Sequence, residues 1–418
     1  MASDGPQPPI RILMIAPQPF FRVTGTPINV QFMCRALSEA GYAVDLLALP
    51  GGDPVELDGL TVHRVPRLPG ISDVPVGFSA AKALYDLLLV VWTIGLLLRY
   101  RFVAVHAIEE AAFFATPLAR LFGVAAIADL DSDLAQQLAE HRSGAVRALA
   151  GPARWFRRRT LGLATCAVSV ARHMTAIARA ESPATPVFEI HDIPLDEAIR
   201  PPDPARMEAL REQLGLRGRR LIVYTGNYDR RQGLEELVGA LPDVVARHHD
   251  ATLLVVGGRP DQICRLQRLA DSFGLGDHVR LIGPRPPDTM AEFMALADVL
   301  ASPRLEPYAT PLKIFSYMAS GRPIVATDLP THTEVLAPTM AFLVPPTVEG
   351  LAAGLIRALD APEAALRRGA RARQRVGEQH TFEVFSRALL EAYTFVLGAG
   401  TRSGAAPLPG EGGRLAHG

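Results

Sequence analysis

The feature that most constrains the fold is an alternation of short apolar runs and helical stretches, repeated in two series along the chain. Apolar runs of this length, joined by helical stretches, are typical of buried parallel strands with crossover helices. The first series of apolar runs lies at 10–16, 43–49, 102–107, 124–129 and 166–170. The second series lies at 220–226, 251–258, 278–283, 298–303 and 323–327. The pattern therefore predicts an α/β protein with two doubly wound, Rossmann-like domains.

The chain is long enough for two domains, because 418 residues can form two cores of roughly 200 residues each. The alternation breaks at the proline-rich segment HDIPLDEAIRPPDPAR, which is typical of an interdomain connection. We therefore predict one domain over 1–195 and a second over 196–382. We expect a final amphipathic helix at 383–397 to pack back on the first domain, and a disordered tail at 398–418. Such domains bind ligands at the carboxyl ends of their strands.

Charge, cysteine content and missing motifs exclude several classes of protein. The 43 basic and 43 acidic residues leave no net field for nucleic acid. Neither first strand is followed by G-x-G-x-x-G, which disfavours a nicotinamide dehydrogenase. The three cysteines have no metal or redox spacing, which indicates a reducing compartment. The N-terminus lacks the basic-then-apolar layout of a secretory signal, so we expect a cytoplasmic protein.

One apolar run, LLLVVWTIGLLL at 87–98, lies between Asp86 and Arg99. It is shorter than the about 20 residues that a membrane-spanning helix needs. We expect a buried helix of the first domain, and interfacial contact with a membrane is the alternative.

A lysine stands at the start of a predicted helix in TPLKIFSYMASGRPIVAT. Thr310 can cap this helix, Pro311 can begin it, and Gly321 can end it. Lys313 lies in the first turn, where the helix dipole disfavours a cation. The amides of Leu312 and Lys313, together with the ammonium group, would hold a phosphate. The alternative is a lysine that extends into solvent, although lysine supplies only two of the 43 basic residues.

The second half of the chain contains six motifs in a fixed order: YTGNYDRRQG, LLVVGGRP, VRLIGPRP, ADVLASPR followed by TPLKIFSYMASGRPIVATD, TEVL, and AFLVPP. They resemble the nucleotide-sugar domain of the GT-B glycosyltransferases of the family-4 (glycosyl transferases group 1) type. The first half is similar too, with TGTP, GYAVDLLAL and AVHAIEEAA, so the resemblance covers roughly residues 10–395. It implies two domains that face each other across a cleft. It also implies sugar transfer from a nucleotide diphosphate with retention of configuration, without a required metal or other cofactor.

The resemblance assigns candidate roles on the donor side. Glu306 follows its strand in the same way as the family's first glutamate, and that glutamate faces the donor sugar. The alternative is that Glu306 lies at the rim of the cleft without a role in the reaction. Lys313 would meet the leaving diphosphate, and these two residues join His106 in the predicted catalytic set. The other predicted donor-binding residues are Gly226, Asn227, Arg230, Arg231, Gly258, Arg259, Ile282, Thr310, Pro311, Leu312 and Ser316.

The donor side also departs from the family pattern. Ser316 stands where the family has the glutamate that holds the donor ribose, so paired acceptance from the ribose diol is lost. Asn227 and Gln232 stand where the family has Arg and Lys. Because the departing diphosphate needs a countercharge, we expect Arg231 and Lys313 to supply it, with Arg230 as another substitute.

On the acceptor side, His106 ends a strand and resembles the family's histidine that reaches the donor sugar. The alternative is a core histidine with satisfied hydrogen bonds. Glu109 and Glu110 follow and could contact an acceptor, although acidic residues are also common at a helix start. Gly25 and Thr26 would leave backbone amides free toward the cleft.

The segment DLDSD at 129–133 resembles a D-x-D metal site, but helix capping by Asp131 or Asp133 explains it, and we predict no metal. Between Glu140 and Glu181 the chain has eight arginines and no acidic residue. This segment predicts contact with an anionic membrane surface; a solvated helix is the alternative. The predicted contact residues are Arg154, Trp155, Phe156, Arg157, Arg158 and Arg159.

The combined interpretation is a retaining, metal-independent glycosyltransferase of the hexosyltransferase type. We expect it to move a sugar from a nucleotide-diphosphate sugar to a glycan or lipid-linked acceptor, in polysaccharide or cell-surface glycan biosynthesis. We expect the protein in the cytoplasm. If the basic segment binds the membrane, we expect a peripheral location on the inner face of the cell membrane. The alternatives are a GT-B nucleotide-sugar epimerase and a non-catalytic nucleotide-sugar-binding module.

Overall fold

The computed structural model describes residues 9–21, 25–71, 80–131, 133–139, 144–306 and 310–401. These residues form two compact units: unit 1 comprises 1–191 and 383–418, and unit 2 comprises 192–382. The sequence placed the first boundary at 195 and the second at 382. Of the predicted tail at 398–418, the part beyond 401 lies outside the described residues.

Unit 1 contains a parallel sheet with strand order 3-2-1-4-5-6-7. Its strands are β1 Arg11–Pro19, β2 Ala43–Leu49, β3 Leu60–Arg64, β4 Ala104–Ile108, β5 Ala125–Leu130, β6 Cys166–Ser169 and β7 Val187–Glu189. Its helices are α1 Gly25–Glu39, α2 Ala80–Arg99, α3 Ala112–Leu121, α4 Leu134–Ala139, α5 Gly144–Arg147, α6 Ala150–Leu163 and α7 Arg172–Glu181.

Unit 2 contains a second parallel sheet, with the six strands ordered 10-9-8-11-12-13. Its strands are β8 Arg220–Thr225, β9 Ala251–Val256, β10 Val279–Leu281, β11 Val299–Ser302, β12 Ile324–Thr327 and β13 Phe342–Val344. Its helices are α8 Asp196–Ile199, α9 Pro204–Gln213, α10 Leu234–Arg247, α11 Pro260–Ser272, α12 Met290–Leu296, α13 Lys313–Ser320, α14 Pro330–Thr333, α15 Val348–Asp360 and α16 Pro362–Gln379.

Alternation along the strands of unit 2 builds a core on each side of the sheet. Leu221 and Val223 of β8 pack into one core, and Ile222 and Tyr224 pack into the other. This is the two-residue period of a strand buried on both faces. The same alternation fixes the direction of Tyr224, which lies at the carboxyl end of β8.

Three strands escaped the sequence analysis: β3, β7 and β13. Each is an edge strand of its sheet, and β3 and β7 are only partly buried. An edge strand is covered less completely than a central one, so it does not require a continuous apolar run.

Two predicted helix boundaries were wrong. Helix α13 begins at Lys313 rather than at Pro311, and its first residue is preceded by a turn in which the Ile314 amide donates to the Pro311 carbonyl. Thr310 therefore does not cap it. The last helix, α17, spans Phe382–Thr401 and so includes the first residues of the predicted tail. Its Phe385 contacts Phe32 of α1, within unit 1.

Helix α2 is only partly the buried helix that the sequence predicted. Tyr85 and Leu89 are enclosed in the core of unit 1, but Leu87 and Val91 are each 58% exposed and Leu98 is 73% exposed. Residues 81–99 are long and apolar enough to cross a membrane by length and composition, a test that a core helix also passes. Because one face of α2 packs on the sheet, we interpret it as a core helix with an apolar outer face.

Candidate functional site

Three loops converge at the carboxyl edge of the sheet in unit 2, where parallel strands place their ligand loops. The Leu305 amide donates to the Arg231 carbonyl at 2.9 Å, which joins the loop after β8 to the segment after β11. Gly257, with φ of 122°, allows the loop after β9 to approach closely, since a Cβ there would overlap the Gly226 carbonyl oxygen. Gly226, in the loop after β8, and Gly258, in the loop after β9, also lie at this edge of the sheet.

Lys313 points its ammonium group into this edge. Its Nζ lies 3.7 Å from the centroid of the Tyr224 ring, a cation–π contact. The Nζ atom itself is enclosed, and no described residue accepts a hydrogen bond from it. Burial, followed by the nearby charge of Arg304, lowers the pKa of Lys313 well below its ordinary value. An oxygen anion placed here would give this donor the acceptor that it lacks.

Two arginines complete a cationic group with Lys313. Arg304 is only 8% exposed, and its Nε donates to the backbone carbonyl of Glu306 at 3.0 Å. Burial and then the neighbouring charge of Arg231 lower the pKa of Arg304 to about 10. Arg231 forms an ion pair with Asp229 at 3.0 Å, which raises the pKa of Arg231.

Besides burial, the charge of Arg231 contributes to the lowered pKa of Arg304, and the charge of Arg304 contributes to the lowered pKa of Lys313, so each neighbouring pair lies within electrostatic reach. An anion with more than one negative charge would stabilise all three. We name Arg231, Arg304 and Lys313 the cation cluster. Sequence reasoning did not assign Arg304 a role; its position directly after a central strand was the available signal.

The structure does not bring all of the predicted donor residues to this cluster. Arg230 is exposed and pairs with Glu235 at 3.2 Å. Arg259 is also exposed and lies near Asp261, at 3.3 Å. Neither arginine is enclosed with the cluster, and donor binding by Arg230 and Arg259 stays a prediction.

The remaining predicted donor residues differ in burial. Glu306 is half-buried two residues after Arg304, and Asn227 is exposed just beyond the end of β8. Ser316 is only 6% exposed, so its hydroxyl presents little surface to a ligand. Ile282 packs against the core of unit 2, and so does Leu312. Thr310 is half-buried and Pro311 buried beside the first turn of α13, and Gln232 accepts a long hydrogen bond from the Tyr224 hydroxyl at 3.4 Å.

His106 is a core residue, so the prediction that it contacts a donor sugar was wrong. Its ring is fully buried, its Nδ1 lies 2.8 Å from the Tyr393 hydroxyl, and its Nε2 lies 3.2 Å from a carboxylate oxygen of Asp129. Burial lowers the pKa of His106 to about 3. Burial also raises the pKa of Asp129 to about 7, so this pair is held in its uncharged form below neutral pH.

Glu109 and Glu110 follow β4 at the carboxyl edge of unit 1. Both lie in the first turn of a short 3-10 helix, as the capping alternative predicts. Glu109 has φ of 51°, which is unusual for a residue with a side chain and is often found at functional sites. It accepts a hydrogen bond from Gln18 at 2.6 Å. Burial, then Asp131, raises the pKa of Glu109 well above its ordinary value.

The acceptor-side predictions thus have different outcomes. Glu110 is neutralised by Lys82, whose Nζ lies 2.6 Å away. Burial and neighbouring acids raise the pKa of Glu109, which favours its protonated form more than in an exposed glutamate. Gly25 is exposed and Thr26 half-buried at the start of α1.

The aspartates of DLDSD behave as the capping interpretation expects. Asp133 accepts a hydrogen bond from the Gln136 amide at 2.9 Å, at the start of α4. Asp133 also pairs with Arg157, and Arg157 pairs with Glu181 at 2.7 Å. Arg157 is only 6% exposed, so its predicted place on a membrane-facing surface was wrong. The other predicted contact residues, Arg154, Trp155, Phe156, Arg158 and Arg159, are exposed.

Comparison with known proteins agrees with the fold and the motif order. A model of the family described as "Glycosyl transferase 4-like domain" matches residues 24–191, and one described as "Glycosyl transferases group 1" matches residues 219–361. Among solved structures, sucrose-phosphate synthase from Thermosynechococcus elongatus is similar, with a TM-score of 0.78 and 22% identity over 93% of this chain and 100% of that one.

Two curated proteins are similar in sequence. Phosphatidyl-myo-inositol mannosyltransferase of Mycolicibacterium smegmatis is 35% identical over 195 residues, 45% of this chain. The match spans about half of that relative, 49% of its length. Alpha-D-kanosaminyltransferase of Streptomyces kanamyceticus is 27% identical over 73% of this chain and 81% of that protein. The fold is of the GT-B type, and the chain belongs to the family-4 type of the GT-B glycosyltransferases.

Proposed function

We propose that this protein transfers a hexosyl group from a nucleotide-diphosphate sugar to a glycan or lipid-linked acceptor, with retention of anomeric configuration. The observation that carries the proposal is the cation cluster, in which the enclosed Nζ of Lys313 has no acceptor among the described residues. The cluster lies at the strand edge that binds ligands in doubly wound folds. A diphosphate has the charge and the oxygen acceptors that this group of side chains needs.

The chemistry follows from where charge develops. The bond between the anomeric carbon and the diphosphate oxygen breaks, and a bond to an acceptor hydroxyl oxygen forms as that hydroxyl passes its proton to the departing diphosphate. Lys313 and Arg304 stabilise the negative charge that grows on the departing diphosphate. Glu306, next to Arg304, stabilises the positive charge that develops on the sugar ring or holds a sugar hydroxyl. For Glu109 of unit 1 we propose contact with the acceptor, by a hydrogen bond to one of its hydroxyl groups.

Three cations would carry the countercharge that a divalent metal supplies in other transferases, so we propose a metal-independent reaction. The name of the mannosyltransferase relative supports a lipid-linked acceptor, and that of the kanosaminyltransferase relative supports a hexose-derived donor. We place the reaction in the cytoplasm, in glycan biosynthesis. The exposed part of the basic segment, without Arg157, would bring the enzyme to an anionic membrane.

The test begins with thermal unfolding of the purified protein in the presence of UDP, GDP, ADP, TDP and their sugar conjugates, with and without EDTA. A ligand at 100 times its dissociation constant should add about 2.7 kcal/mol to the free energy of unfolding. The responding donor is then incubated with lipid-linked and free glycan acceptors, and the product is analysed by mass spectrometry and NMR. If no nucleotide stabilises the protein, the proposal is contradicted. If EDTA abolishes the stabilisation by a nucleotide, the metal-independent mechanism is contradicted.

A non-catalytic nucleotide-sugar-binding module is the second candidate. It is favoured by the enclosed Ser316, which replaces a ribose-binding carboxylate, and by the neutral Asn227 and Gln232. In that case one nucleotide sugar stabilises the protein, but neither transfer nor hydrolysis of the donor is detected. An epimerase would instead convert the donor sugar in the absence of any acceptor.

A further inference from the structure

The outer face of α2 presents an apolar stripe to solvent. Leu84 is 46% exposed, Leu87 and Val91 are each 58% exposed, and Leu98 is 73% exposed. Their spacing of three, four and seven residues puts them on one side of the helix. Single exposed apolar residues are ordinary, but an aligned stripe marks an interaction surface.

The stripe continues onto two neighbouring helices. The crossovers through α2, α3 and α6 proceed in the same direction across the sheet, so right-handed connections place all three on one face. Helix α2 packs against α3, and α3 packs against α6. The rings of Phe113 in α3 and Phe156 in α6 lie 6.1 Å apart, and those of Trp155 and Phe156 lie 5.0 Å apart.

We call the outer surface of these helices the three-helix face. It contains eight of the fourteen exposed large hydrophobic residues in the described part of the chain. These eight residues are Leu84, Leu87, Val91, Trp92, Leu98, Leu121, Trp155 and Phe156.

The charge on the outer surface of α3 and α6 is positive. These two helices contain no acidic residue, and the acidic Asp86 of α2 shares Lys82 with Glu110. Glu181, at the edge of the face, is paired with Arg157. The exposed arginines on or beside the face are Arg99, Arg101, Arg120, Arg154, Arg158 and Arg159.

A cavity of about 540 Å³ opens beside α6. Trp155, Arg158 and Arg159 line one side of it, and residues 182–184 line the other. The Arg159 guanidinium lies 5.5 Å from the centroid of the Trp155 ring. Glu181 also lines the cavity, but its carboxylate is paired with Arg157, which it shares with Asp133, so the two exposed arginines outweigh its negative charge.

We propose that the three-helix face docks on an anionic lipid bilayer, with the phosphate of a lipid headgroup in the cavity beside α6. The apolar side chains enter the boundary between headgroups and acyl chains, and the arginines lie at the level of the phosphates. A second copy of this chain fits poorly, because a two-fold interface would bring arginines of both copies together. A spanning α2 fits poorly as well, since Tyr85 and Leu89 would leave the core of unit 1. The inference does not depend on the transferase reaction.

The chain provides its own probe, because its two tryptophans, Trp92 and Trp155, both lie on this face. Tryptophan emission of the full chain is recorded with phosphatidylcholine vesicles and with vesicles that also contain phosphatidylglycerol. We expect a blue shift and quenching by bromine-labelled acyl chains with the anionic vesicles, which weaken as salt is added. Unchanged emission with both vesicle types would overturn the proposal.

Flotation with the same vesicles tests the residues. The variant Leu87→Glu/Val91→Glu should lose most of its vesicle binding, and Arg158→Glu/Arg159→Glu should bind about tenfold more weakly or worse. The matched control is Phe273→Glu/Leu366→Glu, which changes two exposed apolar residues of unit 2, each 48% exposed, and should bind as the wild type does.

Light scattering after gel filtration tests whether the three-helix face binds a second copy of this chain instead of a membrane. A dimer that Leu87→Glu/Val91→Glu converts to a monomer, without vesicle binding by the wild type, would overturn the lipid proposal. Circular dichroism of each variant shows that it is folded, and Leu98→Ser serves as a milder variant if the double glutamate does not fold. Because nucleotide-induced stabilisation is measured separately, failure of the lipid proposal is distinguishable from failure of the transferase proposal.

Discussion

Replacing Lys313 with methionine should have opposite effects on the free protein and on its nucleotide complex. Methionine keeps the length and the contact with the Tyr224 ring but removes the charge. In the free protein the enclosed Nζ has no acceptor among the described residues, and an unsatisfied buried donor costs about 1–3 kcal/mol. The cation–π contact with Tyr224 offsets about 0.5–2 kcal/mol of this cost. We expect Lys313→Met to raise the free energy of unfolding by up to about 1 kcal/mol.

The nucleotide complex should respond in the other direction. A hydrogen bond to a charged group contributes about 1.5–3 kcal/mol, so loss of about 2 kcal/mol weakens binding roughly 30-fold. Arg304 and Arg231 remain in place, which is why binding should weaken without being abolished. The matched control is Arg230→Met, because Arg230 is exposed and already paired with Glu235.

The pH dependence gives a second measure of the same residue. The folded protein lowers the pKa of Lys313 below its ordinary value of 10.5, so between those two pKa values the unfolded chain binds more protons. The stability of the wild type should therefore rise with pH in that window, relative to Lys313→Met. A bound diphosphate should raise this pKa again, so nucleotide binding should take up protons from the buffer at pH values where the free protein has begun to lose them.

The assay is isothermal titration of the responding nucleotide diphosphate in two buffers of different ionisation enthalpy, alongside urea unfolding of the free proteins. Equal nucleotide affinity of Lys313→Met and the wild type would refute the assignment of Lys313 to the diphosphate. A variant that is less stable than the wild type by more than about 1 kcal/mol would refute the account of an uncompensated ammonium.

Three further predictions test other parts of the structure. Glu306→Gln should lower kcat at least about tenfold with little change in donor affinity, because a neutral amide keeps the shape but not the charge that stabilises the transition state. Steady-state kinetics and titration with the donor measure the two effects. A change in KM alone would contradict the prediction. Arg157→Leu should lower the free energy of unfolding by about 3–5 kcal/mol, because it strands the carboxylates of Asp133 and Glu181; it should also weaken vesicle binding, because it leaves the Glu181 carboxylate beside the proposed phosphate cavity without its cation, and normal stability would rule out the buried pair. The folded state raises the pKa of Asp129 to about 7, so the folded protein holds this proton more tightly than the unfolded chain does, and the wild type should lose stability as the pH rises toward 7. Asp129→Asn should not show this loss. Identical pH profiles of unfolding for the two proteins would count against the prediction.

The sequence by itself determined the architecture. Two series of apolar runs with helical stretches between them specify parallel sheets, because strand and helix periodicity are properties of neighbouring residues. Proline density located the connection between domains, and the order of the motifs in both halves identified the family. Glycines at strand ends and Lys313 in the first turn of α13 were also recognisable, because glycines after strands and residues at a helix start have characteristic local roles.

Tertiary structure decided which charged residues lie at the candidate site and which are buried or paired elsewhere. Arg304 rather than Arg230 joins Lys313, because β11 runs beside β8 in the sheet although about 80 residues separate them. His106 became a core residue through Tyr393, which lies 287 residues away, and Arg157 was withdrawn from the surface by acids in other elements. The apolar run of α2 has no local feature that separates its buried face from its exposed one. Burial and pairing depend on what the rest of the chain packs against a residue, and the periodicity of a segment does not contain that information.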